Sequence, residues 1–184
     1  WAIKNGEQET GATTFFLKHA IDTGNIIYQQ REPISEQDDA GTLYTRLMHN
    51  GAKLVLKTVQ AIATGEYPQE PQDEAVEIKH APKIFKETCE IDWSRPAREL
   101  YNFVRGLSPY PAAWSTLEEQ QVKIFKTTVV ERSELKPGAI TSDGKSYLHI
   151  GAGEGALAIE ELQLQGKKRM EIGVFLRGYN FKSI

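Results

Sequence analysis

The stretch Gly151-Ala152-Gly153-Glu154-Gly155-Ala156 decides which fold is predicted for the second half of the chain. It follows a strand-like run and matches the pattern G-x-G-x-x-A, in which glycines let a dinucleotide pyrophosphate approach a helix N-terminus. That site needs a helix directly after the glycines, whereas Leu157 and Ile159 recur at the period of a strand. The stretch therefore predicts a glycine-rich hairpin between two strands, and it excludes a dinucleotide site here.

Further short strands are predicted on both sides of this hairpin. Turn sequences such as Leu135-Lys136-Pro137-Gly138 separate β-branched and apolar runs. The predicted strands are 113–117, 122–130, 139–142, 147–150 and 156–164. Several short strands within about 80 residues predict a small closed barrel. A short helix precedes it, with Ser94 as its N-cap, Pro96 in its first turn and Gly106 at its end.

The first 64 residues follow a different pattern, typical of an α/β domain. Two β-branched and aromatic runs, 13–17 and 26–30, flank the turn Asp22-Thr23-Gly24-Asn25 and are predicted to be strands. Apolar residues then recur at helical spacing from Leu43 to Ile62, which predicts one long helix. Gly51 inside that helix costs about 1 kcal/mol relative to alanine, so we expect it to mark a close packing contact.

The segment between these two halves lacks a sustained period. It carries Pro68, Pro71 and Pro82 among acidic residues and lysines, which is typical of a linker. The sequence thus predicts three parts: the end of an α/β domain at 1–64, a linker at 65–93 and a mostly β domain at 94–184.

Composition excludes several classes of protein. The 184 residues are 40% apolar and 26% charged, values typical of a globular chain rather than a disordered one. No apolar run approaches the length of a membrane-spanning helix, so no membrane partner is expected. The single cysteine, Cys89, cannot form an internal disulfide, and the four histidines lack metal-ligand spacing. We therefore expect no metal and a reducing compartment, the cytoplasm.

Charge is distributed unevenly along the chain. Residues 1–92 carry 9 Lys and Arg against 15 Asp and Glu, whereas residues 93–184 carry 13 against 10. The cations of the second half include the run Lys167-Lys168-Arg169 and, on one predicted strand, Lys123 and Lys126. Such a cluster is typical either of a polyanion site or of a solvated turn, and the sequence pattern leaves both interpretations open.

Several separated motifs together resemble the formyltetrahydrofolate-dependent formyltransferases, and among them the methionyl-tRNA formyltransferases. The similarity runs from Trp1 to about Gly178, and it is specific because the motifs occur in the right order. The motifs are Asn5-Gly6-Glu7, Glu9-Thr10-Gly11-Ala12-Thr13, Ile21-Asp22-Thr23-Gly24, Ala81-Pro82-Lys83-Ile84, Ile91-Asp92-Trp93, Val104-Arg105-Gly106, Pro109-Tyr110-Pro111 and Gly166-Lys167-Lys168-Arg169-Met170.

The resemblance implies a fold for each half. The first half would be an α/β remnant of a Rossmann-like formyltransferase domain, and the second a mostly β barrel of the oligonucleotide-binding-fold type. In that family, a region ahead of the matched part carries a catalytic asparagine and histidine and a folate-holding loop. The chain is therefore expected to be a C-terminal fragment that is inactive by itself.

The resemblance also implies the chemistry. The amino group of methionine, esterified to initiator tRNA, attacks the formyl carbon of 10-formyltetrahydrofolate, and donors must stabilise the resulting oxyanion. The family's catalytic aspartate, which orients the histidine, falls on Asp22. Ile21, Thr23 and Gly24 are then expected to border the folate.

The expected partners are the folate co-substrate and methionyl initiator tRNA, bound by a monomer in translation initiation. The residues expected to contact the tRNA are Arg105, Lys123, Lys126, Lys167, Lys168 and Arg169. Three alternatives stay open: a formyltransferase acting on an amino-sugar nucleotide, which shares the Asp22 region, a folate-dependent hydrolase domain, which shares the front half, and a nucleic-acid-binding module without catalysis.

Overall fold

The computed structural model of the protein describes residues 1–73, 79–179 and 181. The chain divides into two compact units. The hairpin unit comprises Glu7–Gln37 and Thr42–Pro82, and the sheet unit comprises Trp1–Gly6, Asp38–Gly41 and Lys83–Ile184.

The hairpin unit consists of two strands and a long helix. Strands β1 (Glu9–Phe15) and β2 (Ile26–Pro33) pair antiparallel, which confirms two strands flanking the predicted turn. Strand β1 begins four residues before the predicted start and ends two residues before the predicted end, and β2 extends three residues further than predicted. Helix α1 (Ala40–Thr64) confirms the predicted long helix. Its residues Leu54 and Thr58 are buried, and the hydroxyl of Thr58 lies 2.9 Å from that of Thr14 on β1.

The packing contact predicted at Gly51 is wrong. A Cβ atom added at Gly51 would meet no atom within 4 Å. The glycine therefore lies in open space on α1, and close packing does not account for it.

In the residues that the structure describes, the sheet unit contains six antiparallel strands and two α-helices. Its helices are α2 (Ala97–Leu107) and α3 (Ile172–Gly178), and Glu87–Cys89 forms a single 3₁₀ turn. The strands are β3 (Ala113–Leu117), β4 (Gln120–Val130), β5 (Ile140–Ser142), β6 (Leu148–Gly151), β7 (Ala156–Leu164) and β8 (Met170–Glu171). The strands lie in the order β3-β4-β7-β6-β5, with β8 also paired to β7.

The predicted strands of the second half are confirmed, but the predicted closed barrel is not shown. Within the described residues, strand pairing runs from β3 to β5 and does not join these two ends. The sheet surrounds a core made by the inward residues of β4 and β7 and by Leu100, Val104 and Leu107 of α2. Burial of these side chains is what fixes α2 against the sheet.

The stretch Gly151–Ala156 forms the predicted hairpin, since it joins the antiparallel strands β6 and β7. Its glycines permit close backbone contact: a Cβ at Gly153 would lie 1.9 Å from the carbonyl oxygen of Ser94. The hairpin accepts a hydrogen bond from the first amide of α2, at 2.9 Å from Ala97 N to Glu154 O.

The predicted capping role of Ser94 is wrong. Helix α2 begins at Ala97 with Pro96 at the N-cap position and without a side-chain cap. Ser94 donates its hydroxyl to Asp92 Oδ1 at 2.6 Å instead. In place of that cap, the backbone oxygen of Glu154 satisfies the amide of Ala97.

Candidate catalytic loop and cation face

The connection between β1 and β2 carries Asp22, and residues 16–25 are called the Asp22 loop. Its two ends meet, because Phe16 N donates to Asn25 O at 3.0 Å. Gly24 is buried next to this junction, and a Cβ there would lie 1.4 Å from Phe16 O. Only a glycine fits so close an approach, so the neck of the loop depends on Gly24.

The tip of the loop is exposed. Asp22 has a backbone φ of 57°, in the left-handed region, which aspartate adopts more readily than most residues. Ile21 and Leu17 are each 89% exposed, and Thr23 donates its hydroxyl to Ala20 O at 3.0 Å. Of the three residues expected to border the folate, Ile21 and Thr23 are exposed and Gly24 is buried.

A second segment, Tyr67–Gln72, lies against the Asp22 loop and is called the strap. Ile26 and Glu70 exchange two backbone hydrogen bonds of 2.8 and 3.0 Å, and the rings of Phe16 and Tyr67 lie 5.4 Å apart. Gln72 Nε2 donates to the carbonyl oxygens of Asp22 at 2.7 Å and of Gly24 at 2.8 Å. Sequence reasoning missed these contacts, because a side-chain amide that reaches across about fifty residues leaves no periodic signal.

In the sheet unit, five predicted cations on β4 and in the turn between β7 and β8 are together called the cation face: Lys123, Lys126, Lys167, Lys168 and Arg169. Lys123 pairs in register with Gln163 of β7, and Lys126 pairs with Glu161. Both lysines are exposed. A bulge between Ile124 and Lys126 shifts the alternation by one residue, and this shift turns Lys126 outward like Lys123.

Carboxylates engage two members of the cation face. Lys126 Nζ lies 3.0 Å from Glu160 Oε2, and Arg169 forms an ion pair with Glu161. The hydrogen bond that Lys126 donates to Glu160 raises the pKa of Lys126 above its ordinary value. The guanidinium of Arg169 also lies 4.5 Å above the Phe125 ring, so these two cations have fixed positions.

Lys167 and Lys168 occupy the exposed turn between β7 and β8. The turn is held by the bond from Lys167 N to Leu164 O at 3.0 Å and by the bond from Gln163 Nε2 to Lys167 O at 2.7 Å. Beside it is a depression of about 200 Å³, lined by Gln121, Lys123, Gln163, Leu164, Gln165 and Gly166. The turn therefore presents its lysines next to an amide-rich surface.

Arg105 lies apart from this surface. It is only 9% exposed, and its guanidinium donates to Asp38 O at 3.0 Å and to Asn102 Oδ1 at 2.9 Å. The guanidinium also lies 5.4 Å from the Tyr101 ring. A tRNA contact by Arg105 stays a prediction, and it would require these bonds to break.

Two absences apply to the described part of the chain. None of its helices is both long and apolar enough to cross a membrane. Within the same residues, no three His, Cys, Asp or Glu side chains group as metal ligands.

The comparisons with family models and with curated proteins agree on one family. Residues 1–59 match the model described as "Formyl transferase", and residues 83–180 match "Formyl transferase, C-terminal domain". The methionyl-tRNA formyltransferase of Bacteroides fragilis is 48% identical over 98% of this chain. The chain spans 58% of the length of that relative.

Two solved structures share the fold at lower identity. HypX from Aquifex aeolicus in complex with tetrahydrofolic acid is 22% identical, with a TM-score of 0.69 over 98% of this chain and 33% of its own. WlaRD, a sugar 3N-formyl transferase, is 24% identical, with a TM-score of 0.67 over 91% of this chain and 59% of its own. The C-terminal domain model alone covers more than half of the residues, and the chain belongs to the formyl transferase family.

Proposed function

We propose that the chain is part of an enzyme that transfers a formyl group from 10-formyltetrahydrofolate to the amino group of methionyl initiator tRNA. The observation that carries this proposal is the 48% identity to a methionyl-tRNA formyltransferase, which extends through both units. The sugar 3N-formyl transferase WlaRD shares the fold at only 24% identity. The sequence similarity therefore favours the tRNA substrate over an amino-sugar nucleotide.

Within this proposal, Asp22 orients the histidine that moves the proton. A carboxylate beside an imidazole fixes its tautomer and stabilises its protonated form. The side chain of Asp22 is exposed at the tip of its loop, where a histidine from another part of the enzyme can reach it. Asp22 would thus act through that histidine rather than on the formyl group directly.

The loop also fits one wall of a folate site. The pterin ring of a folate carries hydrogen-bonding groups along its edge and an apolar face, and Ile21, next to Asp22 in the chain, presents an exposed apolar side chain that can cover such a face. We propose that Ile21 and Thr23 contact the folate. Gly24 would instead allow the close backbone approach at the neck of the loop. The co-substrate supplies the formyl group, and the loop contributes orientation and an apolar surface.

We propose that the sheet unit binds the tRNA through its cation face. Folded RNA is recognised largely through phosphates and shape, and the exposed turn at Lys167 and Lys168 offers two positive charges to phosphates. Lys123 adds a third charge beside the amide-lined depression. Lys126 and Arg169, already paired with carboxylates, would contribute less.

The remaining parts of the proposal follow from the family. The sheet unit would be an oligonucleotide-binding-fold barrel and the hairpin unit the end of a Rossmann-like domain, with boundaries at 64 and 94. We propose that the enzyme works in the cytoplasm, where initiator tRNA is charged, and that it is a monomer.

The decisive experiment is a formylation assay on the full-length protein that contains this chain. With 10-formyltetrahydrofolate as donor, it should formylate methionyl initiator tRNA and leave an amino-sugar nucleotide unchanged. Formylation of the sugar nucleotide alone would replace the tRNA proposal. Binding of tRNA without any transfer would indicate a nucleic-acid-binding module.

The same assay tests the expectation that the 184 residues alone are inactive. Asp22 has no chemistry to support without its histidine and the oxyanion donors, so the purified 184-residue chain should show no turnover. Turnover by that chain would mean that its own residues complete the catalytic site.

A further inference from the structure

One side-chain amide joins the strap to both sides of the tip of the Asp22 loop. Gln72 Nε2 carries two hydrogens and lies 2.7 Å from Asp22 O and 2.8 Å from Gly24 O. The carbonyl of Asp22 belongs to the Asp22–Thr23 peptide and that of Gly24 to the Gly24–Asn25 peptide, so a single donor holds the peptides at the two ends of the Thr23-Gly24 segment. All of these residues belong to the hairpin unit.

These hydrogen bonds hold a part of the backbone whose conformation is unfavourable without support from its surroundings. Asp22 adopts a φ of 57°, a conformation that non-glycine residues populate only when the surroundings hold it. The carbonyl of Asp22 belongs to the peptide that follows its Cα atom. Holding that peptide restricts the ψ torsion of Asp22, and with it the directions in which the Asp22 side chain can leave the backbone.

The strap itself is anchored independently of Gln72. The two backbone hydrogen bonds between Ile26 and Glu70, and the ring contact of Tyr67 with Phe16, hold it to the neck of the loop. Gln72 therefore extends from a fixed segment toward the tip. Its removal should release the tip while leaving the neck intact.

We propose that Gln72 is a positioning residue that holds the main chain of Asp22 so that the Asp22 carboxylate stays aligned with the catalytic histidine. This inference rests on the proposed function for the histidine and for Asp22. The hydrogen bonds to the two carbonyl oxygens rest on the structure alone.

The chemistry of the amide makes the proposal specific. Both partners are carbonyl oxygens, so position 72 must donate twice. In Gln72→Glu the shape is kept, but an ionised carboxylate only accepts and repels both carbonyls. Gln72→Ala removes the donor, and Gln72→Lys restores a donor on a flexible side chain.

In the full-length enzyme, Gln72→Ala should lower kcat by about tenfold to thirtyfold, the loss expected for two ordinary hydrogen bonds. The KM for methionyl-tRNA should change less than about twofold, since the tRNA surface is not altered. Gln72→Glu should be impaired at least as strongly, whereas Gln72→Lys should recover part of kcat. Gln69→Ala is the matched control, because Gln69 is an exposed glutamine of the same strap, and it should behave as wild type.

A pH profile separates positioning from general destabilisation. An aligned Asp22 carboxylate raises the pKa of the histidine that it faces. Misalignment lowers that pKa, so the acid limb of kcat/KM should move to lower pH in Gln72→Ala and further in Asp22→Asn. In the Asp22→Asn background, adding Gln72→Ala should change kcat less than about twofold, because the aligned group is already lost.

Hydrogen exchange on the 184-residue chain gives a readout that needs no activity. Amides at 18–24 should exchange faster in Gln72→Ala than in Gln69→Ala, while strands β1 and β2 stay protected. Equal exchange in the two variants, or an unshifted acid limb with an altered loop, would overturn the positioning role. Lack of formylation by the wild-type enzyme would contradict the proposed function instead, and the exchange result would still test the hydrogen bonds.

Discussion

The two longer helices of the protein differ in how much of their apolar surface is covered. Helix α1 has 25 residues but buries only Leu43, Leu54 and Thr58. Helix α2 has 11 residues and buries six of them, including Leu100 and Leu107. The sheet unit thus provides the packing surface for its own helix, whereas much of α1 remains uncovered.

The uncovered residues of α1 are largely apolar. The large exposed side chains are Tyr44, Met48, Val55, Leu56, Val59 and Ile62. Contiguous exposed apolar surface is uncommon on isolated domains. The length of a helix therefore does not determine how much it contributes to stability. The shorter helix α2 is stabilised by packing, whereas the longer helix α1 makes few contacts that a mutation could remove.

The largest effect is expected at the hairpin unit and concerns chemistry rather than stability. Asp22→Asn in the full-length enzyme should lower kcat by about 10⁴-fold, as expected when the partner of a catalytic imidazole is lost. Affinity for tRNA should stay unchanged, because the proposed phosphate contacts lie in the sheet unit. Single-turnover kinetics and tRNA titration measure the two quantities, and a fall in kcat of less than about tenfold would remove Asp22 from the mechanism.

The next effect compares the same substitution in both helices. Leu100 is 1% exposed and Leu56 is 59% exposed. Leu100→Ala should lower the free energy of unfolding by about 2–5 kcal/mol, whereas Leu56→Ala should change it by less than about 0.5 kcal/mol.

Denaturant unfolding measures this difference. The tryptophans, Trp1, Trp93 and Trp114, all belong to the sheet unit, so their fluorescence follows that unit, and far-ultraviolet circular dichroism follows α1. A loss of stability at Leu56 comparable to that at Leu100 would show that the exposed face of α1 is covered in solution.

The third prediction concerns the cation face. If Lys167 and Lys168 each contact one phosphate, replacing both by alanine should flatten the slope of log affinity for tRNA against log salt by about 1.8. The KM for tRNA should rise more than kcat falls. Lys136→Ala with Lys145→Ala removes the same charge from other exposed turns and is the control. Equal slopes in the two double variants would mean that the 167–168 turn is only solvated.

The smallest effect is expected at Gly51. Its Cβ position is open, so Gly51→Ala should raise the stability of the hairpin unit by about 1 kcal/mol through helix propensity alone. Thermal unfolding followed at 222 nm would detect this gain. A destabilised variant would indicate that a neighbour occupies the space beside Gly51.

The strands of the sheet unit could be predicted well because they alternate. Predicted strands 113–117 and 156–164 coincide with β3 and β7; burial alternates along β3 and at Leu157 and Ile159 of β7. Helix α3 was missed, since Ile172–Gly178 is too short for a helical period to emerge. Closure of the sheet depends on long-range pairing, which a local pattern does not encode.

The candidate site was predictable only in part. The resemblance identified Asp22 from four consecutive residues, but local sequence could not reveal the αL conformation of Asp22 or its link to Gln72. For the cation face, the amino-acid sequence predicts which side chains are positively charged, but it does not predict which residues lie next to them. Glu160 and Glu161 of β7 neutralise Lys126 and Arg169, and that pairing depends on the strand register.

The hydrogen bond from Ala97 N to Glu154 O has a consequence for the order of events during translation. The ribosome makes the start of α2 several seconds before it reaches the β6–β7 hairpin, at the usual rate of about 5–20 residues per second. Until then, the first turn of α2 lacks the acceptor that completes it. A nascent chain stalled before Gly151 should therefore hold α2 with a frayed N-terminus, and release of the hairpin from the exit tunnel should complete the helix.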